Sequence, residues 1–468
     1  MVGSGRWRLS WSASSSASTC WWCSPVPVRR SPERHAEHGD VRGLENPNTH
    51  AAVARLLVLF VTAFVDMVGL TMILPLLPYY ATEYGATATI VGVLISAFSI
   101  AQLLVAPAWG RYSDRFGRRP AIIAGLLITA VGYALFGLAG SVGLLLLSRV
   151  VQGLGGGTIG VVQAYVADAS TPAQRTRSLG WLSAVTSLGA VVGPAIGSVL
   201  VRLGGQMLPG LAAAGFSGLV AVIGWKYLRE MPMIRTPRPD RRSKADAIAG
   251  AALAAETGEV AVMPASSRTA IKRVLTRWRE PAPRLIWTYA LGIGAFYGTI
   301  PIVPLLLQDR LGVTQGTVGY FIMYLGGMGV LMRAFILGPL VDRLGEPRLA
   351  RIGIALLAAG LAATAIGTTL PLIGVGFTLM PLGTACLFPC VTALLSGEVR
   401  SHERGLYLGV QQTFGGITRV GFPILAGLAM DRAGMGTPFA IGAALVLLSL
   451  PLMRGFRAAG GGAAQTAA

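Results

Sequence analysis

The chain has 468 residues, 53% of them hydrophobic and only 13% charged, about half the charge content of an ordinary soluble domain. That balance excludes a soluble enzyme with a normal solvated surface, and four cysteines against 62 glycines exclude a disulfide-stapled secreted scaffold. Lys plus Arg exceed Asp plus Glu by 19, a surplus that suits either nucleic acid or a membrane until its positions are known.

Residues 1–52 are rich in Ser, Arg and Pro without periodicity and read as a disordered tail. They lack the continuous apolar stretch and small-residue cleavage site of a secretory signal. Cys20 and Cys23 form a CxxC there without the folded context that a redox pair needs.

Beyond the tail, a bilayer core about 30 Å thick requires about 20 helical residues per crossing. Twelve apolar runs meet that length, at 53–78, 89–109, 120–140, 142–167, 178–201 and 207–228, then at 285–307, 316–340, 349–369, 371–396, 405–429 and 436–454. Backbone groups in hydrocarbon must be bonded within their own segment, so the expected class is all-α, a polytopic membrane protein. Residues 53–228 form a first six-helix bundle, 229–283 a cytoplasmic linker, 284–455 a second bundle and 456–468 a disordered tail. Within the linker, Ile271, Val274, Leu275 and Trp278 share helical spacing amid Arg268, Lys272, Arg273, Arg277 and Arg279. That pattern fits a basic amphipathic helix on an anionic leaflet or a solvated linker helix.

The basic residues orient these spans. Loops after even-numbered spans hold 24 Lys and Arg, whereas loops after odd-numbered spans hold only Arg202, Arg310 and Arg432. Short cytoplasmic loops carry the excess, which places both termini in the cytoplasm, identifies the surplus as topogenic, and removes the nucleic-acid reading.

The two halves repeat. Gly110, Asp114, Arg115 and Gly117 recur as Gly338, Asp342, Arg343 and Gly345, 228 residues on, and Gly180–Pro194 recurs as Gly409–Pro423, 229 on. Pro75 and Pro78, read as ending the first span, are echoed by Pro301 and Pro304. A six-plus-six duplication with a midplane site between repeats is the design of a rocking transporter.

These residues resemble the major facilitator superfamily over about residues 53–455. GRYSDRFGRRP is similar to the superfamily loop between helices two and three, SRVVQGLGGG to the Arg-containing motif of helix four, and LGAVVGPAIG to the helix-five motif of antiporters. FVDMVGLTMILPLLP is similar to the first helix of twelve-helix drug–proton antiporters, including tetracycline efflux carriers. In the second loop copy, Glu346-Pro347-Arg348 replaces Arg118-Arg119-Pro120. The resemblance implies the major facilitator fold in a cell inner or plasma membrane, export of an amphiphilic molecule, and a proton gradient as energy source without any cofactor.

Asp66 is the single acid deep in an apolar run, eleven residues after Arg55 and so about 16 Å along the helix, near midplane. Desolvation disfavours a carboxylate there unless a cation compensates. A reversible proton carrier needs such a group; the alternative is a permanently neutral Asp bonded to nearby backbone. Arg149, Arg333 and Arg419 are the strong bases within spans. Arg149 and Arg419 are candidate charge partners in a cavity, and Arg333 is near enough to one face to snorkel.

By resemblance, Asp114 faces the amino end of helix eleven and Arg115 pairs with Asp168, a cytoplasmic latch that includes Gly110, Gly117, Asp342 and Arg343; Arg118 is a latch member or topogenic. Gly189, Gly193 and Gly197, beside Pro194, give helix five a smooth face, and Gly156, Gly160 and Ala164 repeat the spacing in helix four. Tyr133, Gln163, Phe296, Tyr297, Gln411 and Gln412 are candidate substrate contacts or interhelical bonds.

Other classes lack their residues. No GxxxxGK[ST] supports ATP use, no His, Cys or acid cluster supports a metal site or a membrane enzyme, and Cys386 and Cys390 read as packing. A metabolite or sugar exporter or uniporter of the same fold is the nearer alternative. The expected partners are a small-molecule substrate, protons and lipid, and the expected state is a monomer.

Overall fold

A computed structural model describes residues 47–170, 174–228, 230, 267–400 and 403–456. Most of both tails, the Cys20–Cys23 pair and residues 231–266 of the linker lie outside the described residues.

Eleven helices among the described residues are long and apolar enough to cross a bilayer. In chain order they are α1 (Leu56–Glu83), α2 (Ala88–Phe116), α3 (Arg118–Gly137), α4 (Val142–Ala169), α5 (Arg177–Gly204), α6 (Met207–Tyr227), α7 (Pro281–Leu311), α8 (Gln315–Leu344), α9 (Glu346–Ile366), α10 (Leu370–Glu398) and α11 (Arg404–Ala433). A shorter apolar helix, α12 (Thr437–Met453), completes twelve. No strand occurs among the described residues.

Local chemistry sets the ends. Thr87 and Ser141 accept from the backbone N–H of Ile90 and Leu144 at the starts of α2 and α4, supplying donors of the first turn with a partner. Gly117 and its repeat Gly345 stand at φ 109° and 73°, where a side chain is disfavoured, and they turn the chain from α2 into α3 and from α8 into α9.

Several helices are interrupted within the membrane. Pro75 and Pro78 do not end α1: the chain makes one turn after Ile73 and resumes as Leu77–Glu83. Pro301 acts likewise in α7, where a 3-10 turn at Ile300–Ile302 precedes Val303–Leu311. The reason is common to both, since proline removes an N–H and obstructs one turn while allowing the next to form. α4 breaks at Gly157 and Thr158, and α8 carries a π turn at Met332–Ile336 that holds the exposed Arg333.

Within the first half, α3 packs against α4 and α6; within the second, α9 packs against α10 and α12. The halves meet along two seams, α2 on α11 and α5 on α8. Ser96 donates to the Val420 carbonyl, Tyr79 donates to that of Val313 at 2.9 Å, and Ser198 donates to that of Gln315. These bonds lie toward the ends of the spans joined by the odd-numbered, charge-poor loops. The opposite face, with the even-numbered loops, is termed the basic face.

The linker helix Ser267–Thr276 packs on α7 and α11, which divides its expected apolar face. Ala270 and Val274 are buried against protein, whereas Leu275 and Trp278 are 56% and 50% exposed. Trp287 donates to the Val274 carbonyl, and Arg273 reaches both Glu280 and the Tyr407 hydroxyl.

Candidate functional site

The first-half helices α1, α3, α4 and α5 enclose a cavity of about 680 Å³, within the size range of small-molecule sites. Its walls are largely apolar, among them Ala63, Met67, Ile122, Leu126 and Leu182, with Asp66, Gln163, Ser183 and Thr186 as polar points. Asp66 is half-buried and forms no hydrogen bond or ion pair with a described residue. The expected backbone-bonded alternative is therefore not what the structure holds: the carboxyl faces open space. Gly160 and Ala164 also line this space, so the small residues of α4 beyond its break make room instead of packing.

Gly189, Gly193 and Gly197 do pack. A Cβ on Gly189 would sit 2.8 Å from the Phe64 carbonyl oxygen, one on Gly193 2.2 Å from Thr71 Oγ1, and one on Gly197 2.5 Å from the Met72 carbonyl oxygen. Those partners all belong to α1 and flank Asp66. The edge of α5 bearing Pro194 and Ser198 instead meets α8, where the Pro194 carbonyl abuts Gly319.

Arg149 does not line the cavity. It is 1% exposed, its Nη1 donates to Gln152 Oε1 at 3.0 Å, and its guanidinium lies over the Phe136 ring at 5.3 Å. Nε and Nη2 have no hydrogen-bond partner among the described residues. A π face attracts a desolvated cation, which accounts for how an arginine is held at this depth. Tyr133 is buried, 1% exposed, with its ring against Gly69 of α1, one turn from Asp66. It packs inside the bundle and is not among the residues lining the cavity.

Arg419 differs in kind. It is exposed and stacks over Tyr297 at 4.7 Å, with Phe296 edge-on to that ring at 5.2 Å. Gln411 is buried and bonded to Thr392, and Gln412 donates to the Tyr289 hydroxyl at 3.2 Å. Of the six expected substrate contacts, Gln163 alone borders the 680 Å³ cavity, which belongs to one repeat and does not straddle both.

At the basic face the expected Arg115–Asp168 pair is absent. Arg118 takes that place, 3.3 Å from Asp168 and 3.0 Å from Asp114, with a further bond to Ser113. The turn at Gly117 brings Arg118 back over the end of α2, while Arg115 lies over the Phe116 ring. Asp114 is thus paired within its own half, and no hydrogen bond joins it to α11 among the described residues. Glu230 accepts from the Arg118 N–H at 2.8 Å. Gly110 has no close neighbour, and Asp342 and Arg343 are exposed without an ion pair among the described residues.

The family model of the Major Facilitator Superfamily matches residues 59–345 and 331–459, nearly all of the helical chain. The chain belongs to the major facilitator superfamily. Within the superfamily it is 28% identical over 381 residues to "Multidrug resistance protein 1" of Bacillus subtilis (strain 168), covering 80% of this chain and 90% of that one. It is 27% identical over 408 residues to "Tetracycline resistance protein, class G" of Vibrio anguillarum, covering 83% and 94%. The solved human organic anion transporter MFSD10 (TETRAN) shares the fold at a TM-score of 0.59 and 24% identity, covering 86% and 99%. The chain is accordingly a multi-pass membrane transporter of the superfamily and not an enzyme.

Sequence reasoning missed the packing of Tyr133 on Gly69, Glu230 as a partner of the Arg118 N–H, and Asp431, which crosses the α2–α11 seam. None of the three left a distinct signal in the sequence.

Proposed function

We propose that this transporter exports a hydrophobic or amphiphilic small molecule in exchange for protons, by alternating access, with Asp66 as the proton carrier. The observation that carries the reading is a lone carboxyl on a mostly apolar cavity of about 680 Å³. Such a cavity suits amphiphilic cargo, and the carboxyl can exchange a proton only while water or cargo reaches it. The names of the multidrug and tetracycline resistance relatives point the same way.

In this reading the basic face is cytoplasmic, with both termini, and the protein works as a monomer in the cell membrane. The seams close the charge-poor face in this conformation, so Asp66 releases its proton inward and the cavity takes cargo from the cytoplasm. Protonation from outside and cargo release require the seams to part and the basic face to close. The α1 residues on either side of Asp66, Phe64 and Met67 to Met72, press on the α5 glycines, so in this reading a change of charge at Asp66 acts on a helix contact that has no slack.

Purified protein in liposomes should drive a lipophilic cation or tetracycline-like probe against its gradient when a pH difference is imposed. Asp66→Asn should bind the probe yet fail to respond to the pH difference. Gradient-driven pumping by that variant at the wild-type rate would remove Asp66 from the mechanism.

A further inference from the structure

The first turn of any helix presents backbone N–H groups with no partner inside the helix. The start of α8 is bonded mainly from within: the Thr314 N–H donates to Thr317 Oγ1 at 3.1 Å and the Thr317 N–H to the Thr314 carbonyl at 3.0 Å. That of α2 is not. Its Ala88 N–H donates to Asp431 Oδ1 and its Thr89 N–H to Asp431 Oδ2, each at 2.9 Å, and the Thr89 hydroxyl donates to Oδ2 at 2.5 Å. Asp431 belongs to α11, in the other half of the molecule. Close backbone contact accompanies the bonds, for a Cβ on Gly427 would lie 2.2 Å from the Ala88 carbonyl oxygen and one on Gly92 2.2 Å from that of Pro423.

The duplication supplies an internal control. Counting 229 residues back from Asp431 gives Arg202, at the end of α5, and 228 forward from Ala88 gives Gly316, at the start of α8. The same geometric corner therefore exists twice with opposite charge. Arg202 lies against Gly316, but a cation is unfavourable at a helix amino end, and its guanidinium sits over the Tyr320 ring at 5.7 Å instead.

We infer that Asp431 is the electrostatic clasp of the charge-poor face, a positioning residue that sets how readily this transporter opens there. Opening on the α5–α8 side breaks only the neutral bonds of Ser198 to the Gln315 carbonyl and the Gly319 N–H. Opening on the α2–α11 side strips a carboxylate of three donors and leaves two backbone N–H groups to water. Hydrogen bonds to a charged acceptor are the strong kind, so the clasp weights the conformational equilibrium toward closure of this face, and the parting of α2 from α11 is the step it controls. The inference rests on the alternating-access reading but on neither the cargo nor the proton.

Spin labels at the exposed Val93 and Arg432, in the full chain with Cys20 and Cys23 replaced by Ser, report the α2–α11 separation by pulsed dipolar spectroscopy. In nanodiscs, without substrate, Asp431→Asn should raise the ratio of open to closed populations by about tenfold or more, given the usual strength of bonds to a charged acceptor. Asp431→Glu should restore much of the closed population, and Thr89→Val should shift the ratio by less than Asp431→Asn. Arg202→Gln should leave the distribution where the wild type has it. A distance distribution for Asp431→Asn that superimposes on the wild type overturns the clasp, whatever the transport assay returns. Should that variant not fold, Thr89→Val decides alone, and no shift there overturns it equally.

Discussion

The two halves of the chain share one fold and differ in what their helices carry. The offset of 226 residues that relates Pro75 to Pro301 places Gly292 where the first half has Asp66. There is no open space around Gly292: a Cβ on it would meet Leu387 at 2.8 Å and Phe388 at 3.1 Å. Where α5 presents glycines to α1, α11 presents Phe422 to Gly294 and Gly298 of α7, so hole and knob have exchanged helices. In both arrangements glycines on one helix of the pair admit close contact with the other. The first leaves an open cavity with a carboxyl, and the second fills the corresponding position with aromatic and aliphatic bulk. Duplication thus kept glycine-mediated contact in both halves while only the first half has a carboxyl at this position.

That difference can be broken by moving the acid. In an Asp66→Asn background, Gly292→Asp should not restore pumping driven by a pH gradient, because the second half offers the carboxyl a packed wall. Recovery of gradient-driven uptake in liposomes would mean that the halves are functionally equivalent. A smaller effect tests the glycine edge. Gly193→Val forces a side chain onto Thr71 and the Val68 carbonyl, and overpacking of this kind costs about 1–3 kcal/mol. The melting temperature in detergent should fall and transport should drop with it, whereas Gly421→Val, with no neighbour within 4 Å, should leave the melting temperature unchanged.

The basic-face loops give a weaker contrast. Arg118→Ala loses two ion pairs whose acids are at least half exposed, worth about 1 kcal/mol or less; Arg343→Ala should be silent in the same melting experiment. The smallest effect concerns the linker helix. Hydrogen bonding from Arg273 holds the Glu280 carboxyl below its ordinary value of 4.5. A lowered carboxylate value contributes its stability above the ordinary range and loses it only as pH falls through the lower folded value. A spin label at Leu275 should therefore keep its mobility from pH 8 to pH 5.5 and become more mobile on Glu280→Gln.

The spans were legible in the sequence because membrane helices are written in long apolar runs, and Asp66 because a lone acid in such a run has no ordinary explanation. Their interruptions were half legible. Pro75 marks a break, but whether the helix resumes depends on tertiary contacts such as the bond from Tyr79 to Val313. Arg118 rather than Arg115 faces Asp168 because the positive φ of Gly117 reverses the chain, and spacing alone does not reveal a reversal. The linker helix showed one amphipathic stripe in sequence, yet Val274 and Leu275 part company once α7 and α11 cover one side. Asp431 was hidden for a different reason. An acid at the end of a span looks like a solvated loop residue until the partner helix is placed against it.

Helix α5 has one edge stripped of side chains and pressed on α1 beside Asp66, while its other edge bonds through Ser198 to Gln315 and Gly319 of α8. A rod fixed along both edges transmits sideways load. A change of charge on α1 that pushes the neighbouring helix by a fraction of an ångström is delivered to the α8 seam across a single helix diameter, about 10 Å. No chain of intermediate side chains is needed, and the stiffness of one helix sets how faithfully the two events keep time.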